Sequence, residues 1–220
     1  MKLLHGRFRL LVLALAVVPL AGGCAVISYT VANLAPRPRQ AALYHLPDNQ
    51  TVLVFPDDVS GQLSYPLLKQ LLAEKVSIEL RESELVKTTI PYVKLQEFST
   101  QVGQRWYRMD GSGMGVAEVS RCLGADLAIY LSIRHFQLKD NPADPSWKGK
   151  LTVLVKVVSA TDGKRLWPTD RTDGYELIVD LPTAAAEGPA VGPALAQRLA
   201  ELMAVDVADL FRSHAVGEKP

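Results

Sequence analysis

Two adjacent carboxylates, Asp57 and Asp58, are the first residues of this 220-residue chain whose type and position could support chemistry. They follow Pro56 and residues 51–55 (TVLVF), a β-branched run that predicts a short strand ending in a turn. Paired carboxylates at the carboxyl end of a strand could bind a divalent cation or act as general acid and base. A solvated turn that caps the next helix explains the same two residues, and we favour that interpretation.

The glycine-rich segment 111–115 (GSGMG) could be taken for a phosphate-binding loop, but the signature is incomplete. It lacks the Lys-Ser/Thr pair of such a loop, and it does not follow a clear strand as a dinucleotide-binding loop does. Ser112 also lacks the upstream glycine of a nucleophile elbow. We therefore expect a flexible loop.

The remaining chemistry-bearing residues are isolated in the sequence. The four histidines lie far apart, with no Cys or carboxylate at metal-ligand spacing, and an exposed strand position explains His135 as well as a site would. Cys122 has a basic neighbour that could activate its thiol, but it flanks an apolar stripe, which favours a half-buried, inert thiol. Asp126 is expected to make a structural turn contact. We expect no enzyme, no metal and no cofactor.

Aromatic side chains suggest a contact surface as a second kind of site. Trp106, Tyr107 and Trp147 lie in or beside predicted loops, where exposed rings would mark a surface for a ligand or a partner. Packing over the edge of the sheet is the alternative for all three. Trp167, in contrast, is predicted to lie in the core of a hairpin.

The amino terminus predicts lipidation at Cys24. Residues 1–9 carry three basic groups and no acid, residues 10–20 are apolar, and small residues precede the cysteine in LAGGC. This is the pattern of a bacterial lipobox, in which a signal peptide (1–23) is removed and Cys24 receives the lipid, including a palmitate-type chain. An ordinary secretory signal with a free Cys24 is the alternative. By resemblance to lipoprotein sorting in other diderm bacteria, Ala25 rather than Asp after the cysteine implies the outer membrane, at its periplasmic face.

Net charge argues against a nucleic-acid partner. Removal of the three basic residues of the signal changes the formal charge from +1 to −2, so the mature chain is not basic. With Cys24 lipidated, Cys122 has no cysteine left to pair with, so the domain must be stabilised by its core in an oxidising compartment.

The chain divides into four predicted parts. Residues 1–23 are the signal peptide, and residues 24–48 are the lipid anchor and a proline-containing tether. Residues 49–213 form a single α/β domain, long enough to bury a core without disulfides. Residues 214–220 are a flexible tail.

Hydrophobic periodicity predicts an α/β (α+β) class, with one small mixed β-sheet covered by helices. Strands are predicted at 51–55, 88–93, 126–138, 151–157, 165–167 and 175–181. Helices are predicted at 68–80, 96–108, 116–123 and 194–212, with Gly124 as a C-cap. Pro91 favours an edge position for its strand, and TDGK (161–164) predicts a hairpin turn.

Three stretches together resemble the curli-secretion lipoprotein family and the amino-terminal domain of TolB. They are TVLVFPDD (51–58), LGADLAIYLSI (123–133) and LTVLVKVVSATDGKRLWP (151–168). The resemblance implies an α/β fold and a setting in envelope assembly. It implies no catalytic residues, because these domains are not known as enzymes.

These observations predict a non-enzymatic, membrane-anchored lipoprotein of the bacterial cell envelope. It would act as a protein-interaction or assembly module that binds an envelope protein or its own copies. The alternative is a periplasmic domain that binds a small ligand or a cation through Asp57 and Asp58. A hydrolase is disfavoured, because no nucleophile and base are recognisable.

Overall fold

The longest β-branched runs of the chain form the centre of a mixed sheet. In the computed structural model, the described residues are 39–58, 61, 63–103, 114–139, 146–182 and 190–215. From Gln40 onward they belong to one compact unit, and of the preceding unit only Arg39 is described. No helix among the described residues is long and apolar enough to span a membrane.

Eight strands lie within these ranges. They are β1 (Arg39–Gln40), β2 (Thr51–Asp58), β3 (Thr88–Thr89), β4 (Leu127–Gln137), β5 (Lys150–Ser159), β6 (Arg165–Trp167), β7 (Tyr175–Asp180) and β8 (His214–Ala215). The main sheet has the order β3-β2-β4-β5-β6, and β7 also pairs with β5. β2 is parallel to β3 and β4, whereas β5 is antiparallel to β4, β6 and β7.

Helices cover both faces of this sheet. They are α1 (Leu67–Glu82), α2 (Tyr92–Val102), α3 (Val116–Cys122) and α4 (Val191–Asp209). The larger core lies between the sheet and the pair α1 and α4, and the smaller core lies under α2 and α3. Because β2 is covered on both faces, its residues form the near-continuous apolar run expected of a buried parallel strand. The predicted mixed sheet covered by helices is confirmed.

β2 continues beyond its predicted end at residue 55, through Pro56 to Asp58. The Val52 carbonyl accepts a hydrogen bond from Ile90 N–H, so the even-numbered residues of β2 direct their backbone polar groups toward β3. Registered pairing with β3 involves only Thr51 and Val52. The imide nitrogen of Pro56 therefore faces an open edge, where a missing N–H breaks no ladder bond.

Pro91 has a different role from the one predicted. β3 ends at Thr89, in an edge position as expected, and Pro91 is the residue before α2 rather than part of a strand. Its ψ of 140° is extended, as is usual for the residue that caps the start of a helix. The helix predicted from residue 96 therefore begins at Tyr92, and its predicted continuation over 104–108 lies outside the described residues.

Residues 40–48 pack into the unit instead of forming part of a tether. Leu46 belongs to the larger core and is 9% exposed. The ring of Tyr44 stacks on Trp167 with centroids 6.2 Å apart and meets Phe211 edge-on at 6.5 Å. The amino-terminal boundary of the domain thus lies close to residue 40.

The flexible tail predicted from residue 214 includes two residues that belong to a strand. His214 and Ala215 form β8, which pairs with β1 in a separate two-stranded sheet. Residues 216–220 lie outside the described residues.

Candidate functional site

Asp57 faces the smaller core, between the sheet and α2. Side chains alternate along β2, so Asp57 lies on the same face as Leu53 and Phe55. It is only 8% exposed, and its Oδ2 accepts a 2.6 Å hydrogen bond from the hydroxyl of Tyr130 on β4. A buried carboxylate needs such a donor to offset its lost hydration. The expected solvated turn is therefore wrong for Asp57.

Asp58 points to the opposite face and organises the chain after β2. Its Oδ2 accepts a 2.8 Å hydrogen bond from the backbone N–H of Leu63, and its carbonyl accepts one from the N–H of Gly61. This is the turn role that the sequence favours. Because the two carboxylates diverge, they do not form a joint cation site or an acid–base pair.

Asp57 lines a cavity of about 250 Å³ at the carboxyl end of β2, which we call the β2 cavity. Phe55 and Pro56 also contribute from β2, and Lys69 contributes from the first turn of α1. The opposite wall is one face of α2, formed by Tyr92, Leu95, Gln96 and Ser99 at helical spacing.

A second concavity of about 260 Å³ lies between α1 and the start of α2, and we call it the α1–α2 groove. Ile78 and Val93 line it and are 39% and 52% exposed. Glu74 and Arg81, both on α1, supply the charged residues of its lining. Tyr92 lines both concavities, and burial raises the pKa of its phenol.

Of the three candidate contact aromatics, only Trp147 lies among the described residues. It is half-buried, and its ring lies so close to Gly192 that a Cβ there would come within 3.1 Å of it. The ammonium of Lys139 lies over the ring of Trp147, 4.5 Å from the ring centroid. Trp147 thus packs against the first turn of α4. Trp106 and Tyr107, like the lipidation candidate Cys24, lie outside the described residues.

The isolated candidates have structural roles or are exposed. Asp126 Oδ2 accepts the N–H of Thr51 at 2.8 Å, which fixes the start of β2 against that of β4. His135 is exposed and lies 3.0 Å from the Oε1 of Gln137. Cys122 is free and exposed, so the expected half-buried thiol is wrong. Ser112 lies outside the described residues.

Sequence reasoning missed most of the residues that line the two concavities. Lys69, Tyr92 and Gln96 carry no motif and come from two separate helices. Tyr130, the partner of Asp57, carries no motif either. Ile78 could have been found from the sequence, because it is an apolar residue outside the apolar stripe that α1 buries against the core.

Comparisons with known proteins give only distant likenesses. No protein-family model matches the chain, and the search of curated proteins finds no match. Among solved structures, lipoprotein GNA1162 from Neisseria meningitidis is 13% identical with a TM-score of 0.45, covering 70% of this chain and 98% of that one. A PelC dodecamer from Paraburkholderia phytofirmans is 8% identical with a TM-score of 0.42, covering 81% and 100%.

Protein XCC0632 from Xanthomonas campestris is similar at the same level, with 8% identity and a TM-score of 0.43, covering 76% of this chain and 85% of that one. The resemblance to the curli-secretion lipoproteins and to TolB is not confirmed by any of these three likenesses.

Proposed function

We propose that this chain is a non-enzymatic lipoprotein of the bacterial cell envelope that associates with a second copy of itself through the α1–α2 groove. Lipid on Cys24 would hold it at the periplasmic face of the outer membrane, and residues 25–39 would act as the spacer. Each buried methylene of a lipid chain contributes about 0.8 kcal/mol, so two or more chains make a stable anchor. The divergence of Asp57 and Asp58 supports a non-enzymatic role, because it separates the one adjacent carboxylate pair that suggested acid–base chemistry.

The observation that carries the proposed interface is the exposure of two apolar side chains in one groove. A single exposed apolar residue is ordinary on a protein surface. Ile78 and Val93, however, come from different helices and line the same concavity, where an occupant would remove both from water. Burial of each such side chain favours association by about 1 kcal/mol or more, given that each is already half-covered.

The charges of the groove favour a second copy as the occupant. Glu74 and Arg81 are seven residues apart on α1, which places them on one face about 10 Å from each other. Ile78 lies between them along the helix. If two copies of α1 cross antiparallel near Ile78, Glu74 of each copy meets Arg81 of the other, as an isologous two-fold interface requires.

Membrane anchoring lowers the affinity that such an interface needs. Two copies held on one membrane have a raised effective concentration, so contacts that are weak in solution still produce association. Each exposed Glu–Arg pair contributes about 0–1 kcal/mol. The Glu74–Arg81 pairs therefore set the orientation of the two copies, and burial of Ile78 and Val93 supplies most of the free energy of association.

The mass of the purified, lipidated chain in detergent, measured by light scattering after gel filtration, tests this proposal. We expect a dimer for the natural chain and a monomer for Ile78→Asp, because the substitution places a charge at the two-fold axis. Ile178→Asp is the matched control, since Ile178 is 47% exposed on β7 and lies outside the groove. It should remain dimeric.

Charge reversal provides a stricter test of the two-fold geometry. Glu74→Arg alone and Arg81→Glu alone should each weaken the dimer, because each creates two like-charge contacts. The double variant should restore it. A natural chain that is monomeric, or a double variant no better than the single ones, would exclude the two-fold association and favour a different envelope protein as the occupant.

A further inference from the structure

The β2 cavity has a mainly polar lining that includes one carboxylate and one ammonium. Asp57 and Lys69 line it from β2 and from the first turn of α1. Phe55 and Leu95 contribute apolar surface from the sheet and from α2. Asp57 is buried, whereas Glu74 of the α1–α2 groove is exposed, so the cavity calls for an occupant of its own chemistry.

Asp57 retains acceptor capacity toward the cavity. A carboxylate has about four acceptor positions, and the Tyr130 hydroxyl occupies one of them on Oδ2. Because the side chain is only 8% exposed, bulk water compensates its charge poorly. A cationic donor placed in the cavity would form a charge-assisted hydrogen bond with this carboxylate, stronger than a bond from a neutral donor.

An organic ammonium suits this carboxylate better than a metal ion does. Calcium takes six to eight oxygen ligands, whereas Asp58, the neighbouring carboxylate, faces away and accepts the N–H of Leu63. The positive charge of Lys69 on the same cavity also opposes a dense divalent cation. That charge would instead attract a carboxylate carried by the ligand itself.

We propose that the β2 cavity binds a small aliphatic amino acid, with its ammonium on Asp57 and its carboxylate on Lys69. A sphere of the cavity's volume is about 8 Å across, which accommodates a few methylene groups between two charged ends. Phe55 from β2 and Leu95 from α2 supply apolar atoms on opposite sides of the cavity for the methylene groups to contact. Gln96 and Ser99 lie beside Leu95 on the α2 wall. The exposed amide of Gln96 can donate or accept a further hydrogen bond, whereas the Ser99 hydroxyl already donates to the Gln96 carbonyl at 2.7 Å and can only accept one.

The test compares doubly charged and singly charged probes on the purified full-length chain by isothermal calorimetry. The probes are L-valine and 4-aminobutyrate, against butylammonium chloride, sodium butyrate and calcium chloride. At concentrations up to about 10 mM, which detect a millimolar Kd, we expect one or both amino acids to bind. The singly charged probes should bind about tenfold more weakly or worse, because each satisfies only one of the two charged residues.

Three variants locate the site. Asp57→Asn and Lys69→Met should each weaken amino-acid binding by about tenfold or more. Asp58→Asn is the matched control, because its side chain lies on the other face of β2, and binding should persist unchanged. Lys69 is only half-buried, so Lys69→Met keeps the test valid if Asp57→Asn fails to fold.

Several results would overturn the proposal. They are no heat from either amino acid, equal binding of butylammonium and 4-aminobutyrate, binding of calcium through Asp57, and undiminished binding by Lys69→Met. The result is independent of the dimer, because the groove variant Ile78→Asp should bind the amino acid as the natural chain does.

Discussion

Replacement of Tyr44 by alanine should destabilise the domain substantially, although the sequence assigns this residue to a tether. The ring makes two aromatic contacts, with Trp167 and with Phe211, and each is worth about 0.5–1.5 kcal/mol beyond area burial. Loss of a half-buried side chain adds about 1 kcal/mol. We expect Tyr44→Ala to lower the free energy of unfolding by about 3 kcal/mol.

Chemical denaturation followed by tryptophan fluorescence would measure this change, on a chain that starts at residue 24 and carries Cys24→Ala. For a domain of this size the corresponding fall in Tm is about 6–12 °C, at 2–4 °C per kcal/mol. Trp167 reports on the contact itself, because its ring is buried next to Tyr44 and Tyr175. Tyr44→Phe should cost less than about 1 kcal/mol, since it keeps the ring.

Leu43→Ala is the matched control for this prediction. Leu43 precedes Tyr44, and both backbone N–H groups donate to the carbonyl of Leu210, at 2.8 Å and 3.1 Å. The Leu43 side chain is 43% exposed, so its removal should change stability by no more than about 0.5 kcal/mol. If Tyr44→Ala were as mild as Leu43→Ala, residues 40–48 would behave as a tether and the packing argument would be refuted.

Three further predictions follow from the anchor and from single polar contacts. Cys24→Ala should move the protein from the membrane to the soluble fraction, and full retention in the membrane would disprove the lipid anchor. Asp126→Ala should cost about 1 kcal/mol in a urea melt, because the N–H of Thr51 loses its acceptor. Glu201 has a pKa lowered by its hydrogen bond from Lys75, so the stability it contributes is present above about pH 4.5 and lost on acidification. Its side chain is 31% exposed, so Glu201→Gln should remove less than about 1 kcal/mol at neutral pH, and the difference should shrink as the pH falls below about 4.5, which paired urea melts would check.

Local patterns in the sequence were sufficient to predict the central elements of the fold. The alternation of Leu127, Ile129, Leu131 and Ile133 predicted β4, and all four side chains lie in the larger core. The turn at residues 161–164 predicted the hairpin between β5 and β6, where the N–H of Ser159 donates to the carbonyl of Lys164. These features depend on contacts close in sequence.

Features that depend on distant partners could not be predicted in this way. A proline usually ends a strand. Pro56 is tolerated within β2 only because β3 ends early, at Thr89. The packing of Tyr44 requires Phe211, which lies at the other end of the chain. In both cases the decisive neighbour is set by topology, which a linear pattern does not contain.

The candidate site was predicted only in part for the same reason. Asp57 was identified from its position after a strand, but its burial and its bond to Tyr130 depend on the pairing of β2 with β4. Lys69 and Gln96 reach the cavity from two different helices. Nothing in their own sequence neighbourhoods distinguishes them from ordinary polar residues on a helix surface.

Disulfide crosslinking in intact cells tests the proposed self-association most directly. In a Cys122→Ser background, Ile78→Cys places the new thiols of two copies near the two-fold axis, where a disulfide needs Cβ atoms about 4 Å apart. Mild oxidation should give a covalent dimer with Ile78→Cys and none with Ile178→Cys, although Ile178 on β7 is the more exposed of the two, at 47% against 39%. No dimer with Ile78→Cys, or equal yields at both positions, would contradict the account.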